Sequence, residues 1–234
     1  MIVFALISGV GAFIWCYVIS LEEGWMEWPE VFLSSAINYQ PASSIGTLGL
    51  TMAIYMLPPV AFVRYCMIED RTEGLVMNKV ALGCSLLSSF GALLVAAFQA
   101  SSQIDVHLTG AGIFFAFSLF LVLSQSYLDF RTRSIAPLNT GAYLRLLLAV
   151  AAVGSLGALA MYGLIILVKY DKGNFPRSFL GPMSVLELMF FGVCMLVYGT
   201  FVPDMGEWRL RISAVKISAR NLSGEGAQQM NVVV

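Results

Sequence analysis

Six stretches of this chain each run for about twenty residues with almost no charge, and nothing else in the sequence limits its fold so tightly. They fall near residues 1–19, 48–68, 80–100, 108–128, 143–168 and 181–202. A helix needs roughly 20 apolar residues to cross a hydrocarbon core about 30 Å thick. Within that core every backbone N–H and C=O must find its partner inside the segment, so each run reads as a transmembrane helix. The runs are too long and unbroken for barrel strands. Composition agrees: 59% of the 234 residues are hydrophobic and 12% are charged, against about 45–50% and about 25% in soluble domains. The expected fold class is an all-α membrane protein. It would be a six-transmembrane helix bundle over 1–205, followed by a basic, partly disordered cytoplasmic tail over 206–234. The first run lacks a positive leading region and a small-residue cleavage site, so it reads as a retained helix rather than a signal peptide.

Lys and Arg give the bundle a polarity. With the loops numbered alternately, one side carries Arg64, Arg71, Lys79, Arg131, Arg133, Arg145, Arg209, Arg211, Lys216 and Arg220. The other carries Lys169, Lys172 and Arg177, so the count is ten against three. The positive-inside rule then puts both termini in the cytoplasm. The loop between the first two runs falls on the opposite side and holds Glu22, Glu23, Glu27 and Glu30 without a basic residue. Small residues in the third run (Gly83, Ser85, Ser88, Ser89, Gly91, Ala92) and the fifth (Gly154, Ser155, Gly157, Ala158, Gly163) predict close helix approach. Pro58 and Pro59 predict a kink or local unwinding of the second helix. The four cysteines, Cys16, Cys66, Cys84 and Cys194, lie in apolar runs without a CxxC or His/Cys cluster, as packing residues would.

Two ionisable residues stand out. His107, the only histidine, sits at the mouth of the fourth run near Asp105, with Gln99, Ser101, Ser102 and Gln103 close by in sequence. It can serve as a general base, bind a head group, or cap two helix ends by hydrogen bonding. Glu187 is the only acid well inside a run. At about 1.5 Å per residue it lies roughly 9 Å below the surface that bears His107. Such a residue needs a partner or water, which makes it a candidate either for function or for locking two helices, with Gln99 as a possible partner. Between the first two runs lies Asn38-Tyr39-Gln40-Pro41-Ala42-Ser43-Ser44-Ile45-Gly46, where Pro and Gly argue against regular helix. This stretch reads as a lid over a pocket or as a plain connection. No triad, phosphate loop, dinucleotide fingerprint, metal site or cofactor motif is present, and nothing points to nucleic acid. One sequon, Asn221-Leu222-Ser223, falls in the tail and should stay unmodified if the tail is cytoplasmic.

Three stretches resemble one known family. They are the Asn38–Gly46 segment, the hairpin carrying Ala97-Phe98-Gln99, Val106-His107 and Gly110-Ala111-Gly112-Ile113-Phe114-Phe115, and Glu187 with Thr200 and Asp204. Together they resemble the FRAG/DRAM/SFK group of six-helix membrane proteins over about residues 1–205. The resemblance implies a role in lipid handling. Its members include a Golgi protein that remodels the lipid of glycosylphosphatidylinositol anchors, lysosomal autophagy modulators, and plasma-membrane proteins that assist phosphatidylinositol 4-kinase. The Asn38–Gly46 segment is most similar to the anchor-remodelling branch, which shows Asn and His after the last acid where this chain has Cys194 and Tyr198. On that branch His107 and Glu187 would be catalytic proton carriers. Asn38, Ser43, Gln99 and Asp105 would bind a lipid substrate from the luminal side, in the Golgi or endoplasmic reticulum. The alternative is a non-enzymatic scaffold or lipid sensor of the autophagy-modulating or kinase-recruiting type, in a lysosomal or plasma membrane. Its basic tail would hold a cytoplasmic protein partner. A channel is the weakest reading, because only one acid lies deep in the bundle.

Overall fold

The computed structural model describes residues 2–27, 31–72, 74–132, 140–170 and 177–205. The 206–234 tail lies outside the described residues and takes with it Asn221 and the tail's four basic residues. The elements are α1 (Ile2–Glu22), a short α2 (Leu33–Ala36), α3 (Ala42–Thr72), α4 (Val76–Ala97), α5 (Ile104–Arg131), α6 (Thr140–Lys169), a 3-10 turn at Arg177–Phe179, α7 (Leu180–Gly199) and α8 (Phe201–Met205), with no strand among the described residues. Six of these helical segments are long and apolar enough to cross a membrane, which matches the six runs in the sequence.

Short connections make successive spans antiparallel neighbours. α1 packs along α3, α3 on α4, α4 on α5, α5 on α6 and α6 on α7, with a lighter contact between α7 and α1. The α4–α5 seam is tight because it is built on glycine. A Cβ on Gly91 would stand 2.5 Å from the Phe114 amide nitrogen and 2.7 Å from the Gly110 carbonyl oxygen. On α6 the expectation from small residues fails at the glycines: a Cβ at Gly154, Gly157 or Gly163 meets nothing within 4 Å. α6 touches the bundle through Leu148, Ala149, Ala152 and Ser155, and turns Leu147, Leu164 and Leu167 outward. An apolar face needs no protein partner where lipid can cover it.

α3 bears on two expectations. It runs unbroken through Pro58 and Pro59, so of the kink or local unwinding expected there the unwinding is absent. Unwinding at bilayer depth would strand further backbone groups, and the buried Leu57, Val60 and Ala61 fix this turn in the core. Its first turns also take in Ala42 to Gly46, so half of the supposed irregular segment is helix. Pro41 just precedes the helix, where a missing N–H costs nothing.

The connection from α1 to α3 is sewn down. The Tyr17 hydroxyl donates to the Val31 carbonyl, the Val31 N–H to Ser184 Oγ of α7 at 3.1 Å, Ser20 Oγ to the Ala36 carbonyl at 2.9 Å, and the Cys16 thiol to the Ala42 carbonyl at 3.2 Å. Its own Met26, Ala36 and Ile37 are buried. Its described residues, 23–27 and 31–41, form a cap across the ends of α1, α3 and α7.

Candidate functional site

Under that cap lies a cavity of about 80 Å³, partly open to the outside. Its walls come from every span except α6: Gly9 and Phe13 of α1, Ile54 of α3, Ala92 of α4, Phe114 of α5 and Phe191 of α7 are among them, and Leu33, Ser34 and Ile37 roof it. The roof is therefore the α2 region, and the Asn38–Gly46 stretch does not line the cavity. Its lining is mostly apolar with a few polar groups, and its volume is that of a few water molecules rather than of a drug-sized ligand.

His107 and Glu187 both line the cavity. His107 is buried, and its Nδ1 lies 2.7 Å from the carbonyl oxygen of Phe98, the C-cap of α4. A carbonyl only accepts, so Nδ1 carries the proton and a neutral ring keeps a lone pair on Nε2. Half of the imidazole thus ties the end of α4 to the start of α5. Glu187 sits two turns into α7. Neither Gln99 nor any other described residue gives its carboxylate a hydrogen bond or ion pair. Tyr17 is near enough to feel its charge, but the phenol proton goes to Val31. Ser34, Ser88 and Ser89 also line the cavity, and Ser89, which the sequence offers only as a small packing residue, has a buried Oγ with no hydrogen-bond partner.

The other expected site residues lie elsewhere. Ser43 and Gln99 line a separate shallow groove between α3 and the α4–α5 turn. Asn38 accepts the Ser101 N–H at 2.9 Å and so pins the cap to that turn. Asp105 is exposed in the first turn of α5, and its carbonyl accepts the Thr109 hydroxyl at 2.7 Å. The structure thus brings His107 and Glu187 to one cavity and leaves Asn38, Ser43, Gln99 and Asp105 outside it.

The opposite end of the bundle holds a feature that the sequence reading did not assemble. Arg64 of α3, Asp129 of α5, Arg145 of α6 and Asp204 of α8 form one buried ion cluster. Arg64 Nη2 lies 2.7 Å from Asp129 Oδ1, and Nη1 lies 3.1 Å from Asp204 Oδ2. Arg145 Nε is 2.5 Å from Asp129 Oδ2, and Nη1 is 3.0 Å from Asp204 Oδ2. Arg145 also donates to the carbonyl and the hydroxyl of Thr200, both at 3.1 Å. Both guanidinium groups lie over the Phe201 ring, 5.4 and 5.7 Å from its centre. Two cations and two anions cancel, and four elements are clasped at one point.

Two kinds of comparison place this chain among known proteins. Residues 1–207 match the family described as the Frag1/DRAM/Sfk1/Cwh43P N-terminal domain. Among curated proteins the chain is 24% identical over 199 residues to the modulator of macroautophagy TMEM150B-B of Xenopus laevis, covering 83% of this chain and 79% of that one. It is 27% identical over 182 residues to the modulator of macroautophagy TMEM150B of Xenopus tropicalis, covering 76% and 72%. It is 26% identical over 175 residues to human transmembrane protein 150A, covering 74% of this chain and 61% of that one. No solved structure matches. These relatives bear autophagy or plain transmembrane names, so the anchor-remodelling expectation finds no support among them. With six membrane-crossing helices and a match over residues 1–207, the chain belongs to the Frag1/DRAM/Sfk1/Cwh43P N-terminal domain family.

Proposed function

We propose that this chain is a non-enzymatic, multi-pass membrane modulator of the macroautophagy type, resident in membranes of the endolysosomal system. The observation that carries this is the partnerless hydroxyl in the cavity: Ser89 Oγ has no hydrogen bond to a base. His107 spends Nδ1 on a helix-ending carbonyl and keeps Nε2 open. A hydroxyl nucleophile needs an adjacent hydrogen-bonded base to act, which supports binding over catalysis here. The names of the Xenopus relatives support the cellular side of the proposal.

Both termini face the cytoplasm in this proposal. Arg64 and Arg145 are neutralised by Asp129 and Asp204, which leaves eight of the ten basic residues on that side against three on the other. Arg71, Lys79 and Arg131 among the eight are exposed. The tail beyond Trp208 holds a cytoplasmic partner. A glycosylation acceptor placed at the Glu23–Gly24 turn should be modified while Asn221 stays bare. The reverse result would invert the topology. In cells lacking the chain, lysosomal turnover of an autophagy substrate should change. Re-expression should restore it, a version ending at Trp208 should not, and anchor lipids should be unaltered throughout. Altered anchor lipids with normal autophagic turnover would reinstate the remodelling alternative.

A further inference from the structure

The cap end of the bundle holds a second and roomier recess, whose chemistry goes beyond the cellular role proposed above. The groove between α3 and the α4–α5 turn encloses about 450 Å³, within the range of small-ligand sites. Its polar lining is uncharged: Ser43, Ser44, Thr47 and Thr51 from α3, Gln40 just before it, and Gln99 from the turn. Helical hydroxyls elsewhere in this chain turn back onto the carbonyl four residues earlier, as at Thr72, Thr109 and Thr132. In the groove, the Ser43 and Thr51 hydroxyls and the Gln99 side-chain amide make no hydrogen bond with any described residue. Gln40 accepts the Ser44 hydroxyl at 2.7 Å through Oε1, which leaves its amide N–H groups to donate. Ser43 is only 2% exposed, so its hydroxyl can be met only from the groove, and leaving it unmet is costly. Such a lining asks for a ligand with several groups that both donate and accept, and sugar hydroxyls do both. It also asks for no charge. The chain has no Lys or Arg before Arg64 or between Lys79 and Arg131, so neither wall offers a cation to a phosphate. No acid lines the groove to meet an ammonium. A sterol has a single hydroxyl and would leave most of the groups unmet. Beside the hydroxyls, Leu48 and Met52 of α3 are exposed, which sets a hydrocarbon surface next to the polar recess. We infer that the groove between α3 and the α4–α5 turn binds the sugar head group of an uncharged, phosphate-free glycolipid. The sugar hydroxyls meet Ser43, Thr51, Gln99 and Gln40, and the hydrocarbon chain lies along Leu48 and Met52.

The test uses the purified full-length protein in phosphatidylcholine nanodiscs and a monohexosyl ceramide with a photoactivatable group in its acyl chain. The competitors are the unmodified hexosyl ceramide, ceramide without a sugar, sphingomyelin and free methyl hexoside. Labelling should saturate, map to peptides of α3 or the α4–α5 turn, and yield to the hexosyl ceramide at about tenfold lower concentration than to ceramide or sphingomyelin, as loss of one to two hydrogen bonds implies. Free methyl hexoside, which brings no hydrocarbon to Leu48 and Met52, should not compete at those concentrations. Ser43→Ala and the near-isosteric Thr51→Val should each weaken labelling about fivefold, the value of one hydrogen bond. Neither hydroxyl is bonded within the fold, so both variants should melt with the parent chain, and Gln99→Ala in the turn covers the case in which one of them does not fold. Four results would each overturn the proposal: equal competition by ceramide or sphingomyelin, equal competition by methyl hexoside, undiminished labelling of the folded variants, or label confined to helices other than α3, α4 and α5. The assay contains no cell, so failure of the macroautophagy reading leaves its result unaffected, and the converse holds.

Discussion

The two ends of this bundle treat buried charge in opposite ways. At one end Asp129 meets both Arg64 and Arg145, and Asp204 meets the same two cations. At the other end Glu187 lines an apolar cavity with no cation among the described residues. A charge in a membrane helix costs several kcal/mol unless it is compensated. The first end compensates internally and gains a joint between α3, α5, α6 and α8. The second gives its acid no ion pair among the described residues. Acids in the same kind of apolar helix thus differ in whether the fold supplies a counter-charge.

Asp129→Asn should break this contrast most severely. It removes the carboxylate that bridges two guanidinium groups and leaves buried cations short of a counter-charge, at a cost of about 3–5 kcal/mol. Thermal melting in detergent should show a large drop or no folded, monodisperse protein. A variant that melts with the parent chain would mean that the cluster is ornamental. Gly91→Ala comes next. The added methyl would press on the Phe114 nitrogen and the Gly110 oxygen. These are backbone atoms that cannot swing aside, so overpacking should cost about 1–3 kcal/mol. Substitution at Gly154, where a Cβ meets nothing, should be silent in the same melt.

The sign should reverse at Glu187. Glu187→Gln removes a half-buried acid that has no ion pair among the described residues, so the protein should melt at the same temperature or higher, by up to roughly 1 kcal/mol of added stability. If Glu187→Gln destabilises as much as Asp129→Asn, the acid has a structural partner after all and the contrast between the ends collapses.

The sequence shows the spans clearly because hydropathy over about 20 residues is a local property. It also shows His107 and Glu187 as odd residues in apolar surroundings. What it cannot show is partnership. Arg64, Arg145 and Asp204 were each visible and were read as loop charges or a family feature, while Asp129 drew no notice at all. Only packing reveals that residues separated by up to 140 positions share one ion cluster. One signal could have hinted at it: two bases and two acids fall near helix ends on the same side of the alternating topology. The Asn38–Gly46 stretch misleads for a related reason. Pro and Gly there suggest breakers, whereas Pro41 precedes α3. Gly46 is the position where a Cβ would collide with the Ile37 side chain, so the glycine serves packing rather than a turn.

The finest test compares adjacent serines on α4. Ser88 Oγ lies 2.6 Å from Ser118 Oγ, whereas Ser89 Oγ has no partner, and both residues line the cavity. Ser88→Ala should therefore cost about 0.5–1.5 kcal/mol, the value of one hydrogen bond plus the stranding of Ser118. Ser89→Ala loses no bond and removes a desolvated hydroxyl, so its effect should be near zero or slightly stabilising.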